Sequence, residues 1–150
     1  MKNSIKYKIL PGKRLVIHLY EGKVTMDLIK ANAKGLIEDE DFRPYYNEIT
    51  DLRNSELIFN HKDDLINYVE FLKKKRGYLS NRKIAVLTDS PDHVVKSTLY
   101  KELGVILPMK LQVFSTCESA LIYLDITDFS EEEFESIIDK LEENSVSLID

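Results

Sequence analysis

The chain has 150 residues, 43% of them hydrophobic and 31% charged, with 21 basic against 26 acidic side chains and a formal net charge of −5. These values describe one globular domain that can bury roughly 70% of its unfolded surface, and they exclude extended disorder. The single cysteine excludes a disulfide framework, no run of about 18 apolar residues offers a membrane span, and an acidic chain suits nucleic acid poorly.

Ser4 to Leu10 alternates polar and apolar, placing Ile5, Tyr7 and Ile9 inward and lysines outward, as on an edge strand. Pro11-Gly12-Lys13 predicts a turn, and Leu15 to Tyr20 a second, more central strand that completes an antiparallel hairpin. Glu21-Gly22-Lys23 breaks the pattern. Thr25 then caps a helix whose inner face is Met26, Ile29, Ala33, Leu36 and Ile37, ending in the acidic stretch Glu38 to Asp41.

A third, more polar strand is expected from Tyr45 to Leu52, with Arg53-Asn54-Ser55 following it. The second helix spans about Lys62 to Arg76, with an inner stripe of Leu65, Tyr68, Val69 and Leu72. Its basic last turn complements the helix dipole and Gly77 stops it. Lys83 to Thr88 is the strongest strand signal, apolar enough to be covered on both faces.

Ser90-Pro91 starts the third helix, which stops at Gly104. Leu111 to Phe114 is a fifth strand, and Ser115 with Glu118 has capping-box spacing for a fourth helix through Leu124. Ser130 and Glu133 form a second capping box, stapled by Phe129 and Phe134. The stripe Phe134, Ile137, Ile138 and Leu141 needs a surface to cover, and the last seven residues are expected to fray.

The order ββαβαβαβα plus one terminal helix predicts an α/β fold, a mixed sheet with helices packed on it. Four segments carry a family resemblance. They are Gly22 to Thr25, Asn47 to Arg53, Arg82 to Asp89, and Val113 to Thr116 with Ala120-Leu121. Together they resemble the STAS-like family, the anti-sigma-factor-antagonist fold with lipid-binding SEC14-type relatives, and within it the uncharacterised bacterial branch described as SpoIIAA-like. The resemblance covers residues 5 to 124. It implies a STAS-like domain over 1–124 and a helical extension over 125–150, packed on the same domain or on a dimer partner. Family antagonists carry a phosphorylated serine after the third strand, and Asn60-His61-Lys62-Asp63 offers no hydroxyl there, so that switch is not expected.

Ligands in such sheets sit beyond the strand C-termini. Asp51, Arg53, Thr88, Asp89, Ser90, Ser115 and Thr116 are the polar residues expected there, where helix N-termini and an arginine favour an anionic group. The ordinary roles of the same residues are helix caps and local ion pairs. Phe42, Tyr45 and Tyr46, with Phe134 and Ile138, are the expected interaction surface for a partner protein or a second copy, as in a homodimer.

His61 has no partner at metal-ligand spacing, so neither a metal nor another cofactor is expected. Cys117 stands without a resolving cysteine and is expected to be a buried, inert thiol. No glycine-rich phosphate loop or nucleophile elbow is present. The sequence therefore points to a cytoplasmic, non-enzymatic regulatory or protein-interaction module. The alternative is a binder of a small anionic or lipid-like molecule.

Overall fold

Five strands form one sheet in chain order, β1 (Ser4–Leu10), β2 (Leu15–Val24), β3 (Asn47–Leu57), β4 (Lys83–Leu87) and β5 (Lys110–Phe114), in a computed structural model that describes residues 2–59 and 61–147. β1 is antiparallel to β2, and the remaining pairs are parallel. The crossover helices are α1 (Met26–Glu38), α2 (Lys62–Lys73) and α3 (Pro91–Leu103); α4 (Cys117–Tyr123) and α5 (Glu131–Ser147) follow the last strand.

Each parallel crossover steps one strand further in the same direction. Crossovers of a single hand must then put α1, α2 and α3 on one face. That face holds the larger core, including Val16, Ala33, Leu36, Leu52, Leu65, Leu72 and Val86. The opposite face carries Leu15, Ile17, Leu19, Ile49, Ala85 and Leu87 and has no crossover helix to cover it. α4 and α5 do so, with Phe134, Ile138 and Leu141 buried among those strand residues. The terminal helix therefore packs on the chain's own sheet, and α5 runs on to Ser147, beyond where fraying was expected; residues 148–150 lie outside the described residues.

Two strands outrun their expected ends. β2 continues through Glu21-Gly22-Lys23 to Val24, because the pairing with β3 shifts after Leu19 and Gly22 adopts a positive φ of 69°. A Cβ on Gly22 would meet the Lys2 carbonyl, so glycine is required there. β3 starts at Asn47 and extends through Arg53-Asn54-Ser55 to Leu57, paired along this stretch with the extension of β2.

The helix starts follow local chemistry. Thr25 accepts from the Leu28 N–H, and Ser130 and Glu133 exchange both capping-box bonds. α4 is capped by Thr116, accepting from Ser119 N–H, rather than by the expected Ser115–Glu118 pair. Among the described residues, no helix is long and apolar enough to cross a membrane.

Candidate functional site

The seven residues expected at a ligand site lie along the C-terminal ends of β4 and β5 and the stretch of β3 beside them, the three strands running side by side, Asp51 beside Leu87 and Leu87 beside Phe114. Asp51 lies inside β3 and is 0% exposed. Arg53 donates to it through Nε (3.0 Å) and Nη2 (2.8 Å), and Nη2 also reaches Glu135 of α5 at 2.7 Å. The bond to Asp51 is the largest influence raising the Arg53 pKa, ahead of burial, which opposes it. This group ties β3 to α5, so both charges of Asp51–Arg53 serve the packing of the second face.

Thr88 is buried 2.6 Å from His93 Nδ1, and its hydroxyl oxygen accepts the Ser90 N–H. Ser90 sits at the α3 N-cap without a side-chain bond, and Asp89 is exposed. Ser115 and Thr116 are exposed, with Thr116 occupied as a cap.

Of the residues expected at an interaction surface, most are enclosed within the chain itself. Phe42 and Tyr46 are buried, Phe42 stacking on Tyr78, and Tyr45 is the exposed one of the three aromatic residues. Phe134 and Ile138 are buried in the second core, because the sheet face left bare by the crossovers needs them. Cys117 is buried too, and burial followed by the carboxylates of Glu131 and Glu135 pushes its thiol up to about 11.

The helical face holds a different and more polar centre. A cavity of about 100 Å³ lies between the sheet and α1, α2 and α3. Its apolar wall includes Ile29, Ala33, Leu52, Phe59, Leu65 and Val86. Its polar wall is His18, Tyr20, Asn32, Glu48, Thr50, Tyr68, Tyr78, Lys96, Ser97 and Tyr100. None of the seven expected ligand residues lines it.

Glu48 stands on β3, the central strand, in a row with Val16, Ile84 and Leu111, where an aliphatic side chain would ordinarily sit. It is 2% exposed. Oε2 accepts from the Tyr78 hydroxyl at 3.3 Å and lies 3.8 Å from Arg82 Nη2. The Arg82 guanidinium rests over the Tyr78 ring, 4.1 Å from its centroid, and donates to the Pro44 carbonyl. Burial, the largest single influence, lowers the Arg82 pKa, and the Glu48 charge together with Tyr78, Tyr100 and Tyr68 more than restores it.

His18 occupies the next row of β2, beside Thr50, with Tyr7 packed edge-on against its ring. Burial lowers its pKa, outweighing the opposite pull of Glu48, so the ring is neutral near pH 7. Tyr20, Tyr68, Tyr78 and Tyr100 are all held protonated, burial first and the Glu48 charge contributing in each case. Glu48 Oε1 and His18 Nε2 have no hydrogen-bond partner among the described residues.

A second hollow of about 490 Å³ lies along β5, lined by Val105, Pro108, Met109 and Tyr123 among others. It is larger, but it lacks the buried, unpartnered polar groups that distinguish the inner cavity. Among the described residues no three His, Cys, Asp or Glu side chains are placed to hold a metal ion.

No protein-family model and no curated protein matches the chain. It is similar to the crystal structure of an uncharacterized protein of the DUF3478 family, with a SpoIIAA-like fold, from Shewanella loihica PV-4. The match has a TM-score of 0.55 and 15% identity, and covers 83% of this chain and 96% of that one. The chain thus has a SpoIIAA-like, STAS-type fold: a mixed five-stranded sheet flanked by helices.

Proposed function

We propose that this chain is a non-catalytic binding module that holds a small, mainly apolar molecule in the cavity between its sheet and α1, α2 and α3. The observation that carries the reading is a cavity of about 100 Å³ whose apolar wall closes onto a carboxylate on β3 and an imidazole on β2. A cavity of similar order, about 150 Å³ and wholly apolar, is enough to take benzene in another protein. Binding rather than catalysis is supported by the state of the polar groups. Glu48 faces Arg82 and Tyr78, His18 is neutral, and the phenols are held protonated. An anionic occupant is disfavoured, because it would meet the Glu48 carboxylate.

The test is an NMR titration with toluene and phenol at millimolar concentration. Saturable shifts of amides near His18, Glu48 and Ser97 are expected, and Ala33→Phe, which fills the space, should abolish them. Spectra unmoved by both compounds would end the reading.

A regulatory role through contact with a second copy has one specific support. Val105 and Ile106, in the turn before β5, stand 81% and 62% exposed beside the unpaired edge of that strand. Sedimentation of the wild type against Val105→Asp tests it; a monomer in both cases removes it.

A further inference from the structure

Of four buried polar atoms without a hydrogen-bond partner among the described residues, Arg82 supplies two, and the other two, Glu48 Oε1 and His18 Nε2, belong to side chains that line the cavity. Glu48 Oε1 only accepts hydrogen bonds, its charge being balanced by Arg82. The neutral imidazole of His18 can present Nε2 as N–H. Both side chains are more than nine-tenths buried, and both line the cavity. Glu48 pairs with Val16 and His18 with Thr50, so the two stand one row apart on adjacent parallel strands and face the same cavity. A group that donates to one and accepts from the other satisfies both at once, and a hydroxyl does this with a single atom.

Charge narrows the class further. The Glu48–Arg82 pair is neutral as a unit, and Lys96 at the rim is tied to Asp92 and the Leu57 carbonyl. A third buried charge would have to break one of these existing pairs to gain a counter-ion. The tyrosines add ring edges and hydroxyls but no charge, because burial and Glu48 keep them protonated.

Resting on the binding reading above, we propose that the cavity selects a neutral hydroxyl compound of about one ring in size, such as a phenol or a cyclic alcohol. Its O–H donates to Glu48 Oε1, and its oxygen accepts from His18 Nε2–H. Its carbon body lies against Ile29, Ala33, Leu65 and Val86.

The experiment is a titration of the unmodified chain with four single-ring probes: phenol, toluene of the same size, and the slightly larger benzylamine, as its ammonium form, and benzoate. Phenol is expected to bind at least tenfold more tightly than the other three. Toluene or benzylammonium binding as well as phenol overturns the hydroxyl assignment while leaving the cavity reading intact. Benzoate binding best overturns the assignment also. Failure of all four to bind removes the binding reading itself, a distinguishable result. Glu48→Gln, checked for folding by circular dichroism, should weaken phenol about tenfold and leave toluene unchanged. An equal loss for both probes overturns the proposed hydrogen bond, and the four-probe comparison stands even where this variant does not fold.

Discussion

Glu48 and Arg82 face one another across 3.8 Å in the interior, their side chains 2% and 0% exposed. Removing one partner of such a pair strands the other charge, at a cost of about 3–5 kcal/mol, whereas replacing both with apolar groups is often nearly neutral. Arg82→Met should therefore lower the unfolding free energy in urea by that amount. Glu48→Leu combined with Arg82→Met should recover most of it. Equal losses for the single and double variants would show that the two charges are not coupled.

The Asp51–Arg53–Glu135 group predicts unequal consequences. Arg53→Ala leaves the wholly buried Asp51 carboxylate without its guanidinium and should cost about 3 kcal/mol. Glu135→Gln touches a pair that is more than a third exposed on the Glu135 side, worth under about 1 kcal/mol. Chemical denaturation of the two variants separates them, and a larger loss for Glu135→Gln would reverse the assignment.

His18 makes stability depend on acidity. Its folded pKa is below the ordinary 6.5, so between those two values the unfolded chain binds a proton that the folded chain refuses. Its contribution is complete above pH 6.5 and is lost as pH falls, with a slope of at most about 1.4 kcal/mol per pH unit. Urea midpoints measured from pH 7.5 down to 5 should fall more steeply for the wild type than for His18→Gln. Parallel curves would mean that His18 titrates as it does in the unfolded chain.

Cys117 should resist alkylation. With its thiol near 11, only about a thousandth is thiolate at pH 8, and the sulfur is buried as well. Iodoacetamide labelling is expected to be slow in buffer and rapid in guanidinium chloride. Fast labelling of the folded chain would contradict the geometry.

Phe134 is completely buried in the second core, so Phe134→Ala should cost about 3–5 kcal/mol. Thermal unfolding of this variant reports whether α5 belongs to the same cooperative unit. A separate early transition would show that it does not.

Much of the fold was legible because period and caps agree. The stripe Leu65, Tyr68, Val69, Leu72 and the Ser130–Glu133 box form as their spacing implies. The ends of β2 and β3 were not legible. Polar residues in 21–23 and 53–55 look like loop, but pairing with each other's strand keeps them extended. The stripe of α5 read as a possible contact surface because a single helix does not reveal which sheet face the crossovers leave uncovered.

The inner cavity was missed for a related reason. Glu48, His18 and Arg82 come from three separate segments, and each alone reads as a surface residue or a strand end. The signal available was the unusual polarity of the third strand. Two carboxylates at 48 and 51 fall on opposite faces of a central strand, so each must be buried.

The one-directional winding of the sheet has a consequence for synthesis. As the polypeptide leaves the ribosome, Leu15, Ile17, Leu19, Ile49, Ala85 and Leu87 are already in place before anything can shield them. Their shelter is encoded after residue 116, and its largest piece, Phe134, comes later still. A nascent chain halted before α5 therefore presents a greasy plane to chaperones and to its neighbours, and that plane closes only when the final helix emerges.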